Sequence, residues 1–214
     1  MKQAIIFDMD GTLFQTNTVL EQALDATFEV LRESQLWVGE TPIEKYREIM
    51  GVPLPVVWET LCPDLTNEVR ERSNEYFQKK LIEMIRLRKG ALYSNVVEVL
   101  KALSYKYPIF IASNGEQEYL QAIVETYELN PLINKIYSIQ LIPTGNKSDL
   151  VKSIVEENEL EHAWVVGDRL SDIQAAKENE LISIGANFDF AQQEELKLAE
   201  FVINNLEELM IIIP

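Results

Sequence analysis

From residue 90 onward the chain alternates between two textures, and this alternation restricts the possible fold more than any other feature of the sequence. Short apolar runs, among them Tyr107-Pro108-Ile109-Phe110-Ile111-Ala112, Ile136-Tyr137-Ser138-Ile139 and Ala163-Trp164-Val165-Val166, are separated by segments with apolar residues every three or four positions. Two further runs, over 181–184 and 201–203, continue the series. Strand and helix in alternation predict an α/β fold, a doubly wound parallel sheet with helices on both faces. The run Ala4-Ile5-Ile6 near the start supplies one more buried strand. Between it and residue 90 the pattern is helical throughout. Leu20, Leu24, Phe28 and Leu31 predict a helix over 18–34, with Thr18 and Glu21 in capping-box spacing. Further helices are expected over 43–50, 56–61 and 67–88, punctuated by Gly51-Val52-Pro53-Leu54-Pro55 and Cys62-Pro63-Asp64. The predicted organisation is a core of residues 1–15 and 90–214 with an all-helical insertion, residues 16–89.

The strand ends carry the chemistry. The first run stops abruptly at Asp8-Met9-Asp10-Gly11-Thr12. Two carboxylates two residues apart repel each other and are costly to desolvate without a cation or reacting group between them. Hard cations take oxygen ligands, so the pair suggests magnesium; taken alone, the same residues also suit a solvated Asp-Gly turn. Two later strands end in Ser113-Asn114-Gly115 and in Gly167-Asp168, and Lys147 precedes the helix that feeds the latter. Asp172 lies one helical turn beyond Asp168. Strand carboxyl ends share one edge of a parallel sheet, where open α/β sheets bind ligands, so these groups are expected to converge.

Composition narrows the partners. The 214 residues carry 19 Lys and Arg against 35 Asp and Glu, a net charge of −16. Nucleic acid and anionic membranes are disfavoured, because the cations that neutralise phosphate are outnumbered. An anionic substrate then needs local donors or a bound cation. Cys62 is the single cysteine, which excludes an intramolecular disulfide and a Cys-rich metal site. A reducing, cytoplasmic setting is expected, with no apolar run of membrane-spanning length. Oligomeric state is not readable from the helix patterns.

In this order and spacing, Asp8-Met9-Asp10-Gly11-Thr12, Ser113-Asn114-Gly115, Lys147 and Gly167-Asp168-Arg169-Leu170-Ser171-Asp172 resemble the four motifs of the haloacid dehalogenase superfamily, in its phosphatase branch. The helical segment 16–89 resembles that family's cap. The resemblance implies Asp8 as nucleophile and Asp10 as general acid and base. It implies Mg2+ held by Asp8, the Asp10 carbonyl and Asp168, with Asp172 behind them. Ser113, Asn114, Gly115 and Lys147 would bind the phosphoryl oxygens. Relatives that dehalogenate lack an aspartate at the place of Asp10, and the sugar-phosphate mutases carry a histidine and an arginine that are missing near Gln15 and Gly51. Hydrolysis of a small phosphorylated metabolite is therefore the leading expectation, with phosphoglycolate, nucleoside monophosphates, sugar phosphates and pyrophosphate as candidates. A phosphomutase and a non-catalytic phosphometabolite-binding protein are the alternatives. Many relatives have proline after the lysine; here Ser148 follows, a residue suited to cap the next helix. Lys45, Arg47, Arg70 and Arg72 are the insertion's candidate substrate cations, while Trp58, Tyr119, Trp164 and His162 read as packing residues.

Overall fold

The computed structural model describes residues 2–214. All six expected strands form: β1 (Gln3–Phe7), β2 (Ile109–Ser113), β3 (Lys135–Ser138), β4 (His162–Gly167), β5 (Ile182–Ala186) and β6 (Phe201–Ile203). They make one parallel sheet in the order β3-β2-β1-β4-β5-β6. The helices are α1 (Asn17–Glu33), α2 (Ile43–Glu48), α3 (Leu54–Leu61), α4 (Asn67–Arg86), α5 (Val96–Ser104), α6 (Gln117–Thr126), α7 (Lys147–Glu157), α8 (Leu170–Glu178), α9 (Gln193–Leu196) and α10 (Leu209–Ile212).

Side chains alternate across the sheet, as the period of two requires. Ile5, Phe7, Ile109, Ile111, Trp164 and Val166 face one side, in a cluster with Val99 and Leu100 of α5 and Leu120 and Ile123 of α6. Ala4, Ile6, Phe110, Ala112 and Val165 face the other, against Leu150 and Ile154 of α7 and Ala175 of α8. Both faces are covered, so the short apolar runs are buried on both sides and the doubly wound expectation holds. The strand order reverses between β1 and β4, and ligands bind outside the strand carboxyl ends at such a switch point.

Helices α1 to α4 fill the insertion, and no strand interrupts them among the described residues. Helix α1 packs along α4, and α4 in turn packs on α6. The centre of this layer is aromatic: Phe28 lies 4.9 Å from Trp37, edge on, and 6.2 Å from Trp58, while Trp58 meets Phe77 edge on at 5.8 Å. Such pairs add to the burial of large apolar rings. The Trp58 indole also donates to Asn74 Oδ1 at 2.9 Å, and Asn74 Nδ2 donates to Glu116 at the start of α6 at 2.7 Å. One side chain thus joins the aromatic centre to the core. Cys62 is buried, as expected, and burial pushes its thiol up to about 11.

Two helix starts differ from expectation. Thr16, not Thr18, occupies the N-cap of α1, and the Thr18 hydroxyl donates backward to the Gln15 carbonyl at 2.6 Å, so no capping box forms with Glu21. At α7 the cap is Asn146, whose Oδ1 accepts from Ser148 N at 2.7 Å; Ser148 lies inside the helix. No helix among the described residues is long and apolar enough to cross a membrane.

Phe28→Ala should lower the unfolding free energy by about 3–5 kcal/mol, because the ring is fully buried between two indoles. Urea titration followed by tryptophan fluorescence measures the loss.

Candidate active site

The polar strand ends do converge. Asp8 follows β1 directly, and its amide donates to the Val166 carbonyl of β4 at 2.8 Å, which fixes it at the switch point. Asp168 follows β4, and Ser113 is the last residue of β2. Lys147 is the first residue of α7. Its Nζ lies 2.7 Å from Asp8 Oδ1 and 2.5 Å from Asp172 Oδ1, with all three side chains almost fully buried. Asp172 Oδ2 accepts the Arg169 amide at 3.1 Å, closing the first turn of α8. Asp168 Oδ1 accepts the Thr12 hydroxyl at 3.2 Å, whereas its Oδ2 is buried with no partner. Gly11, at φ +74°, lies against that carboxylate; a methyl group there would overlap it. The motif glycine therefore serves both the turn and the close approach.

Asp10 faces the same cavity from the other side. Its Oδ1 accepts the Thr16 hydroxyl at 2.5 Å and also the phenol of Tyr119. The Ser113 hydroxyl accepts the Gly115 amide at 3.1 Å, the Gly115 carbonyl accepts the Ser138 hydroxyl at 2.6 Å, and Asn114 Nδ2 donates to the Gly51 carbonyl at 2.5 Å. Arg169 reaches the neighbouring carbonyl of Met50 and pairs with Glu195 at 3.1 Å. The turn at 50–51 is thereby bonded to the core by two side chains. Asp8, Asp10, Ser113, Asn114, Gly115, Lys147 and Asp168 all line one cavity, and Asp172 lies immediately behind Lys147.

Thr12, Thr16 and Tyr119 make contacts that no motif assigns to them; Tyr119, expected to be a packing residue, is buried and its phenol also donates to Asp10. Its position one helical turn past Gly115, at the start of α6, was the available signal. Trp58 and Trp164 do pack, and His162 lies edge on to Trp164 at 5.2 Å. None of the four cap cations lines the cavity. Arg47 pairs with Glu21 and Glu44, Arg70 donates to the Cys62 and Pro63 carbonyls, Arg72 pairs with Glu68, and Lys45 is exposed.

Burial drives the electrostatics. It raises the Asp8 carboxyl, Lys147 opposes it, and Asp10 adds to the rise. Asp168 is raised well above the ordinary value by burial and by repulsion from Asp8 and Asp172. Asp172 is pushed up to about 6 by burial against the pull of Lys147. Enclosure also raises Asp10, with the Thr16 and Tyr119 bonds pulling it down. Burial works against the Lys147 ammonium, but Asp172 and Asp8 outweigh it and the group is held charged. Asp8, Asp168 and Asp172 offer oxygens within 4.8 Å of one another, and the unpartnered Asp168 Oδ2 fits a divalent cation at this place. Asp172 Oδ2 accepts the Arg169 amide, and its Oδ1 lies 2.5 Å from Lys147 Nζ.

Fold, switch point and acidic cluster together define a class, and residues 5–186 match the family described as haloacid dehalogenase-like hydrolase. The chain belongs to that family. A 5'-nucleotidase of Pseudomonas aeruginosa is 21% identical over 197 residues, covering 90% of this chain and 86% of the relative. The pyrophosphatase PpaX of Listeria monocytogenes is also 21% identical, over 98% of this chain and 95% of the relative. Among solved structures, CbbY from Rhodobacter sphaeroides, in complex with phosphate, superposes with a TM-score of 0.84 at 18% identity, covering 98% of this chain and 96% of that one.

Raised carboxyls have a definite sign in stability. Where the folded value exceeds the unfolded one, folding takes up protons and stability falls as pH rises. For Asp172 that window runs from the ordinary 3.8 to about 6, and Asp8 and Asp168 shift in the same direction. Metal-free protein should therefore melt lower at about pH 7.5 than at about pH 5, and a divalent cation bound at the cluster should raise the melting temperature more at the higher pH. Calorimetry with and without magnesium checks both.

Proposed function

We propose that this protein is a phosphatase of small phosphomonoesters that works through an aspartyl-phosphate on Asp8. The observation that carries the reading is the Lys147 grip on Asp8 Oδ1, which fixes one oxygen of the carboxylate within a cavity that Asp10 also lines. A carboxylate held in this way is an oriented nucleophile. One Asp8 oxygen attacks phosphorus, the bond from phosphorus to the leaving oxygen breaks, and Asp10 gives its proton to that oxygen as it departs. Water then attacks phosphorus, Asp10 takes the water's proton, and inorganic phosphate leaves with Asp8 restored. The rise in the Asp10 carboxyl suits a group that must hold a proton at the first step.

Lys147, the Ser113 hydroxyl and the Asn114 and Gly115 amides are the donors for the phosphoryl oxygens. Mg2+ is the proposed cofactor, held by Asp8, the Asp10 carbonyl and Asp168, with Asp172 steadying Lys147. When bound it supplies positive charge that offsets the repulsion between Asp8 and an anionic phosphate. In this reading residues 16–89 form a cap domain over a core of residues 1–15 and 90–214, and the cap keeps bulk water from the first step. The curated relatives act, by name, on nucleotides and pyrophosphate, which supports a small phosphorylated substrate. Nucleic acid polymers and membranes are not among the proposed partners, and the cytoplasm is the proposed location.

Asp8→Asn should lower phosphate release by about three orders of magnitude or more while the protein remains folded. Phosphate assays on a phosphomonoester panel, with and without magnesium, measure it; turnover that survives the substitution overturns the covalent route. Tyr119→Phe removes a bond that pulls the Asp10 carboxyl down, so the basic limb of kcat/KM should move to higher pH. A limb that stays put or moves down contradicts the assignment of Asp10 as acid.

A further inference from the structure

One wall of the cavity comes from the insertion, through Tyr46 of α2, Met50, Val52 and Leu54 of the 50–54 turn, and Gln78 and Leu81 of α4. That wall contains no cation. Burial raises the Tyr46 phenol, so it stays uncharged as well. The two cations that do reach the cavity serve other groups: Lys147 bonds Asp8 and Asp172 and, in the reading above, the phosphoryl oxygens, and Arg169 bonds Glu195 and the Met50 carbonyl. The free volume is about 60 Å³, room for about five water-sized groups, which a phosphoryl group fills. Gln78 and Tyr119 also line a larger groove of about 730 Å³ between α4 and α6, the adjoining space available to the rest of a substrate. Four glutamates line that groove, Glu75, Glu83, Glu116 and Glu118, against Lys79 and Arg86. A second negative charge on the substrate would meet no free cation in the cavity and an excess of carboxylates beyond it.

Gln78 stands at the junction of the two spaces. The residue is over nine-tenths buried, and its Oε1 is buried with no hydrogen-bond partner. An amide oxygen accepts only, so the group that satisfies it is a hydroxyl or N–H donor. Leaving such an oxygen unpaired is costly, and a site built to bond a donor rejects analogues that lack it.

We infer that the substrate's leaving group carries no negative charge and presents a hydroxyl or N–H donor, that Gln78 Oε1 accepts a hydrogen bond from it, and that leaving groups bearing a carboxylate or a second phosphate are rejected. This rests on the phosphatase reading above and narrows its substrate class.

The test uses matched esters with the magnesium-loaded full chain: glycerol phosphate against phosphoglycerate, and hydroxyethyl phosphate against phosphoglycolate. Each uncharged ester should exceed its carboxylate partner in kcat/KM by about tenfold or more. Gln78→Leu should raise KM for glycerol phosphate about tenfold with kcat little changed. Gln78→Met keeps the length of the side chain and removes the acceptor, so it should raise that KM in the same direction. Carboxylate esters turned over as well as their partners would overturn the inference and leave the phosphatase reading intact. So would a KM for glycerol phosphate that Gln78→Leu leaves unmoved in folded protein. Should Gln78→Leu not fold, Gln78→Met decides by the same comparison. No release from any ester, p-nitrophenyl phosphate included, overturns both readings.

Discussion

A single ammonium, Lys147 Nζ, lies between the carboxylates of Asp8 and Asp172 in a nearly dry part of the molecule, and the local architecture follows from keeping it there. A buried charge without a partner is costly, and removing one member of such a cluster strands the others. The chain therefore commits three separate elements to the arrangement. Helix α7 begins on Lys147 with Asn146 as its cap, α8 begins with Asp172 closing its own first turn, and β1 ends one residue before Asp8. One positive charge still does not balance Asp8, Asp168 and Asp172, and Asp168 keeps an oxygen without a partner. The surplus of negative charge is the physical reason a cation suits the site.

Much of the core was legible because its signals are local and strong. A parallel strand buried on both faces reads as a short apolar run, and each such run became a strand. The convergence of Asp8, Ser113, Lys147 and Asp168 followed from topology, since parallel strands put their carboxyl ends on one edge. The details that escaped depend on contacts between distant residues or on competition for one group. Thr18 has good capping spacing, but the chain turns into the helix two residues earlier, and the hydroxyl of the capping Thr16 serves Asp10 instead of the helix. Ser148 lost the cap of α7 to Asn146 for a similar reason: the helix begins at Lys147. Tyr119 and Asp10 are 109 residues apart, and no spacing rule links them. Helical periodicity likewise cannot say which neighbour an arginine finds, and Arg47 and Arg70 found partners within the insertion.

The charged groups of the cavity come from the sheet edge and the helices that follow it, whereas the insertion contributes a hydroxyl, a phenol, an amide and apolar side chains. Charge belongs to the part of the site that handles the phosphoryl group in the proposed reaction, and shape and hydrogen bonding to the part beyond it. This segregation lets the wall facing the leaving group change without disturbing the balance around Lys147.

The attachment of that wall has a consequence of its own. Asn114 and Arg169 hold the turn at 50–51 through main-chain carbonyls, those of Gly51 and Met50. A carbonyl is present whatever side chain stands beside it. The fastening is thus indifferent to the identity of residue 50, and only the backbone path, with Gly51 at φ +96°, has to be kept. Exchange at the exposed Val52 leaves both bonds in place, whereas Met50, buried in the core cluster, is held by packing as well.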